Sequence, residues 1–148
     1  MAIAAGQPAP EFSLARPEGG PFTREDLLGR TTVLVFYPFA FSPVCTDQLT
    51  LYDELRDEFD ARGVTLYGVS CDATYSQTAF RKHLGVSIEQ LSDFEPKGAA
   101  CRAFDVLHPG GFPQRALVLV GPDGTIRWSY QAESPSELPG ANLIFDNL

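Results

Sequence analysis

The chain reads as an α/β protein, on three observations. Thr31–Tyr37 and Val64–Ser70 are apolar, β-branched-rich runs without charge, the pattern of strands buried on both faces. Between them, Cys45, Leu49, Tyr52, Leu55 and Phe59 recur at steps of three and four, which is one face of a helix. Ala116–Val120 and Thr125–Tyr130 are two further strand patterns, joined by the turn signal Gly121-Pro122-Asp123-Gly124. Strand, helix, strand, helix and then a hairpin imply a mixed sheet with helices on both faces.

Taken in order, residues 1–10 form a lead-in with two prolines and small residues. Glu11–Leu14 is a short strand candidate, and Arg16–Pro21, with two glycines and two prolines, is a turn. Thr23–Gly29 reads as one helical turn, with Thr23 as cap and Gly29 as stop. The strand Thr31–Tyr37 follows. The long helix then starts at Ser42, a good N-cap, with Pro43 at the first helical position, and ends at Gly63. After Val64–Ser70, Thr74–Gly85 is a short helix closed by glycine, and Ile88–Leu91 a brief strand. Pro96–Phe104 is helical and His108–Pro113 is a Gly/Pro loop. After the hairpin, Ser134-Pro135 resembles a cap, and Pro139-Gly140 leaves the last helix, around Ala141–Phe145, short or broken.

At 148 residues, 44% hydrophobic and 20% charged, the chain has ordinary globular composition and is expected to form one domain, residues 1–148. A net charge of −8 argues against nucleic acid or an anionic membrane as partner, but not against a neutral small molecule. No apolar run approaches the ~20 residues of a membrane span. The amino terminus, Met1-Ala2-Ile3-Ala4-Ala5-Gly6, reads as too short for a signal peptide and lacks a basic region. Three cysteines, 26 and 30 positions apart, form neither a disulfide framework nor a zinc pattern, and neither His83 nor His108 converges with them in spacing. A reducing cytoplasm suits this composition.

The helix start places Cys45 in a first turn, where free N–H groups and the positive end of the helix dipole point outward. Both favour a thiolate, the reactive form of cysteine. The bland alternative is a buried small hydrophobe. The cap, the proline and the helix start at this spacing favour the reactive role.

Pro38-x-x-x-Ser42-x-x-Cys45 resembles the active-site signature of the peroxiredoxins, thiol peroxidases of the thioredoxin superfamily. Ala9-Pro10-Glu11-Phe12-Ser13-Leu14, Gly68-Val69-Ser70-Cys71-Asp72, Leu91-Ser92-Asp93, Arg115 at the head of a strand and Gly121-Pro122-Asp123-Gly124 have counterparts in the same order. The short bacterial members, of the alkyl hydroperoxide reductase E and bacterioferritin-comigratory-protein types, are the most similar branch. Ser42 stands where the family usually has Thr, which keeps the hydroxyl.

The resemblance implies a thioredoxin-like fold and reduction of hydrogen peroxide and organic hydroperoxides through a Cys45 sulfenic acid. An external thiol would then regenerate the enzyme: thioredoxin, a glutaredoxin-like redoxin or a low-molecular-weight thiol. No metal, flavin or haem is implied. Phe39-Ala40-Phe41 beside the active-site loop, a region that lies near a dimer contact in relatives, suggests a homodimer; the alternative is that both rings line the substrate entrance or pack inward. Ser42 is expected to offer its hydroxyl to the sulfur or the peroxide oxygen, although it could serve only as a cap. The backbone N–H groups near Val44 and Cys45 would donate to the same place, and Pro38 would screen the sulfur from water. By family resemblance Arg115 supplies a guanidinium to Cys45 and the substrate; on the residues alone it is a solvated strand end. Gln48, one turn beyond Cys45, either supports Arg115 or is an exposed helix residue. For Cys71 and Cys101 core packing is the leading reading, and a role as resolving cysteine is the alternative. The position five residues after Cys45, which holds a resolving cysteine in some relatives, is Thr50. The non-enzymatic rival is a thiol redox sensor or holdase on the same fold.

Overall fold

The computed structural model describes residues 1–148. Seven strands are present: β1 (Ser13–Ala15), β2 (Pro21–Thr23), β3 (Thr31–Phe36), β4 (Val64–Ser70), β5 (Glu89–Ser92), β6 (Ala116–Val120) and β7 (Ile126–Gln131). The helices are α1 (Pro43–Glu54), α2 (Arg56–Ala61), α3 (Thr74–Leu84), α4 (Ala99–Ala103) and α5 (Asn142–Phe145), with a 3₁₀ turn at Arg24–Leu27. The strands form one mixed sheet in the order β2-β1-β5-β4-β3-β6-β7. β3 lies near the centre, parallel to β4 and antiparallel to β6. That position explains its uninterrupted apolar sequence, since both of its faces are covered.

Side-chain alternation along the strands divides the core in two. Val33, Val35 and Tyr37 on one side, with Leu117 and Leu119 of β6, pack against α1, α2, α3 and α5 through Leu49, Tyr52, Phe59, Phe80 and Ile144. Leu34 and Phe36 point the other way, with Tyr67, Val69 and Val118, toward Phe12, Phe22, Leu27 and the α4 segment with Phe104. Cys45 belongs to the first core; Cys71 and Cys101 belong to the second. The expected α/β architecture, with helices on both faces of a mixed sheet, is what is found.

Several local expectations need correction. β1 is Ser13–Ala15 rather than Glu11–Leu14. Pro21–Thr23 is a strand, where the sequence offered the end of a turn, and its last residue, Thr23, is also the expected cap, its N–H donating to Asp26 at 2.8 Å at the start of the 3₁₀ turn. The strand's single buried residue, Phe22, pairs with Leu14, but one apolar residue between a glycine pair and a polar run carries no period to read. The long helix is two helices. Leu55 breaks it at φ −101° and ψ 12°, and its N–H reaches back to Tyr52. The apolar spacing runs through the break, and no glycine or proline marks it. α4 starts at Ala99 rather than near Pro96, because Gly98 sits at φ +75°, a left-handed conformation that no α-helix continues through.

Candidate active site

The sheet register assembles the site. Ala116 of β6 pairs with Phe36 of β3, so the residue before β6, Arg115, stands at the end of β3 where Tyr37-Pro38 leads into the loop. Alternation settles its direction. Leu117 and Leu119 face α1, so Arg115, two residues earlier, faces α1 as well. Its charge arrives beside the first turn of a helix seventy positions away in sequence.

There each of the three guanidinium nitrogens donates one hydrogen bond. One terminal nitrogen donates to Cys45 Sγ at 3.1 Å, the other to Gln48 Oε1 at 2.6 Å, and Nε donates to the Pro135 carbonyl at 2.8 Å. Arg115 is 2% exposed, and Cys45 and Gln48 are completely buried. A buried cation must be hydrogen-bonded and paired to be tolerated. Here two neutral acceptors and the cysteine sulfur fill that need, and no carboxylate lies within hydrogen-bond or ion-pair distance of it. The donor to the Cys45 sulfur is thus a cation with no carboxylate competing for it.

The network extends one turn further along α1. Gln48 Nε2 donates to the Tyr52 hydroxyl at 3.2 Å, and that hydroxyl donates to the Pro139 carbonyl at 2.6 Å. Burial pushes the Tyr52 phenol up to about 12, so it remains a proton donor. Pro135 and Pro139 thus fasten the C-terminal segment over Arg115 and α1.

Around this core lies an open cavity of about 310 Å³, lined by Pro38, Phe39, Ser42, Val44, Phe112 and Arg115 together with Pro43, Pro135 and Ser136. The walls are mostly apolar, and Arg115 is the charged group in them. Ser42 occupies the N-cap position of α1, but its side chain makes no capping hydrogen bond. Its hydroxyl is therefore not spent on the helix and lines the cavity instead. Phe41, beside it, holds φ at +70°, an uncommon conformation for a residue with a bulky side chain, and Asp72 fixes the same loop by accepting the Ala40 N–H at 2.8 Å. The loop between β3 and α1 is held in one shape from several directions.

Of the residues singled out in the sequence, Pro38, Ser42, Val44, Cys45, Gln48 and Arg115 come together here. Gln48 is a buried link, not an exposed helix residue. Cys71 and Cys101 do not join them; the sheet lies between. Sequence reasoning missed Tyr52, which reads as one more apolar-face residue, and the carbonyls of Pro135 and Pro139, for which no side chain gives a signal. It also missed that Cys71, Asp93 and Cys101 converge, with ligand atoms within 4.8 Å of one another, because they come from three separate segments.

The profile of the AhpC/TSA family matches residues 5–129. The chain is 30% identical over 138 residues to peroxiredoxin 2 of Thermoplasma acidophilum, spanning 87% of this chain and 68% of that protein. It is 32% identical over 124 residues to 1-Cys peroxiredoxin A of Oryza sativa subsp. japonica, spanning 75% of this chain and 56% of that longer protein. The fold superposes on the crystal structure of Enterococcus faecalis AhpC with a TM-score of 0.86 at 26% identity, over 99% of this chain and 90% of that one. With its cysteine, arginine and loop so arranged, the chain belongs to the AhpC/TSA family and is a peroxiredoxin.

Proposed function

We propose that this peroxiredoxin, a thiol-dependent peroxidase, reduces hydroperoxides at Cys45 with Arg115 as its electrostatic partner. The observation that carries this assignment of roles is the 3.1 Å contact between Arg115 and Cys45 Sγ in a completely buried setting. The thiolate attacks the terminal oxygen of the hydroperoxide, the O–O bond breaks, and Cys45 becomes a sulfenic acid. The departing oxygen leaves with the electron pair of that bond and takes up a proton, as water or an alcohol. Arg115 faces the oxygen on which negative charge develops, and the Ser42 hydroxyl and the N–H groups of the first helical turn are further donors there. The apolar walls of Pro38, Phe39, Val44 and Phe112 admit a neutral hydroperoxide and keep bulk water low, which strengthens every charge interaction inside.

The sulfenic acid is resolved by an external thiol in this reading. Cys71 and Cys101 sit in the core on the opposite face of the sheet, and a disulfide needs Cα atoms within about 7 Å. Thioredoxin, a glutaredoxin-like redoxin and a low-molecular-weight thiol are the reductant classes to test. The name of the rice relative, a 1-Cys peroxiredoxin, supports the same economy. The experiment is continuous peroxide consumption with each reductant by the unsubstituted chain, Cys71→Ser and Cys101→Ser. Undiminished turnover in both variants supports the external resolver; loss of turnover in either, with the first oxidation intact, rejects it. Sustained turnover also separates the enzyme from a redox sensor, which oxidises once.

Self-association as a two-fold dimer is part of the proposal. Phe39 and Phe41 are each half exposed beside the site, where Phe39 lies against Phe112 and Phe41 against Phe80 and His83. Sedimentation at micromolar protein giving only a 16.1 kDa species would reject the dimer.

A further inference from the structure

Cys71 follows the last residue of β4, and Cys101 lies in α4. Their sulfurs and the Asp93 carboxylate lie within 4.8 Å of one another, in the core on the face away from Cys45. Asp93 is held in place: it accepts the backbone N–H of Ala100 at 3.0 Å on one oxygen and that of Cys101 at 2.8 Å on the other. Two sulfurs thus lie beside an anchored carboxylate.

The two thiols are not equivalent. Cys101 is completely buried, whereas Cys71 is 8% exposed and lines a cavity of about 330 Å³ with Pro38, Phe39, Phe94 and Lys97. The closeness of the two sulfurs lowers the Cys71 thiol and raises that of Cys101, with burial and Asp93 adding to the latter. Burial raises the Asp93 carboxyl above its ordinary range, against the two backbone N–H groups that lower it. One accessible sulfur with a second, buried sulfur beside it suits thiol–disulfide exchange, in which access decides which sulfur is attacked or attacks first.

We propose that Cys71 and Cys101 form a second redox site that exchanges with small-molecule disulfides. The Cys71 thiolate attacks one sulfur of the disulfide RSSR. The S–S bond breaks, RS⁻ leaves, and Cys71 carries a mixed disulfide. The Cys101 thiol attacks Cys71 Sγ, and its proton passes to the departing sulfur. The second RS group leaves as RSH, and the protein sulfurs close to the ~2.05 Å of a disulfide bond. The two protein sulfurs are oxidised by two electrons, and one disulfide is reduced to a thiolate and a thiol. The cavity shares Pro38 and Phe39 with the Cys45 cavity, so a disulfide released there would be close to Cys71. The exchange itself does not rest on the peroxidase assignment.

The test uses the Cys45→Ser chain, after chelator treatment, equilibrated in glutathione/glutathione disulfide buffers of graded ratio. Samples are acid-quenched, alkylated and peptide-mapped, with circular dichroism run in parallel, and the unsubstituted chain is mapped in the same way. The expected result is a Cys71–Cys101 disulfide in the folded protein with one two-electron midpoint. Adding Cys101→Ser should trap one glutathione on Cys71, and adding Cys71→Ser should leave Cys101 unmodified. The proposal is overturned if both thiols remain alkylatable at every ratio, if the linkage forms only where the fold is lost, or if glutathione enters at Cys101.

Discussion

Arg115 and Cys45, seventy positions apart in sequence, meet in a single hydrogen bond of 3.1 Å from guanidinium to sulfur. The β3–β6 register makes that meeting possible, and the Gln48 and Pro135 contacts fix the plane of the guanidinium around it.

Arg115→Ala is expected to lower kcat/KM for hydroperoxide by about 10²–10³, the cost of removing one donor that faces a developing oxyanion. Arg115→Lys should recover only part of it. An ammonium supplies charge but cannot reach Cys45, Gln48 and Pro135 at once from one planar group. Stopped-flow oxidation of the thiol measures both; a decline of less than tenfold in Arg115→Ala would place the arginine outside the reaction.

Gln48 and Tyr52 act through Arg115 and are positioning residues. Tyr52→Phe removes the hydroxyl that bonds Gln48 and the Pro139 carbonyl, and should cost about 1–2 kcal/mol of stability in denaturant unfolding. Gln48→Glu gives Arg115 a carboxylate and should draw the guanidinium away from the sulfur. The rate should then fall at saturating peroxide, with urea stability retained. Equal kcat values in Gln48→Glu and the unsubstituted chain would show that orientation of the guanidinium is not controlled from α1.

Ser42→Ala separates the two roles available to that hydroxyl. Because the side chain makes no capping bond, stability should change by less than about 0.5 kcal/mol, against about 1 kcal/mol for loss of an active cap. Peroxide reduction should slow by roughly tenfold or more, as expected for a lost donor, and Ser42→Thr should restore it. A drop in stability with an unchanged rate would reverse the assignment.

Phe104→Ala tests the core on the far face. Phe104 is completely buried, with ring centroids 5.2 Å from Phe12 and 5.6 Å from Phe36. Its truncation should cost about 3–5 kcal/mol, read from the urea midpoint at constant slope. Since the sheet separates it from Cys45, peroxide reduction by the folded fraction should be unaffected.

Much of this was legible in the sequence where one rule governed a segment. The uncharged β3 and β4 runs, the Ser42-Pro43 helix start and the glycine stops at Gly63 and Gly85 follow local chemistry and appear in place. What local chemistry could not supply was set by distant partners. β2 exists because Leu14 lies opposite Phe22. The direction of Arg115 depends on the pairing of β6 with β3, and Tyr52 looks like core until Pro139 is brought against it. Within the site, Cys45 and Ser42 could be read from spacing, while Arg115 rested on family resemblance, since most arginines at a strand end are solvated.

The most direct test is intact mass spectrometry after one equivalent of hydrogen peroxide in the presence of dimedone, on the unsubstituted chain and on Cys45→Ser, with peroxide consumption followed in parallel. The account predicts one dimedone adduct at Cys45 in the former. In Cys45→Ser it predicts no adduct at position 45 and no peroxide consumption above the buffer rate. Peroxide turnover retained by Cys45→Ser, or a first adduct mapping to Cys71 or Cys101 in the unsubstituted chain, would contradict it.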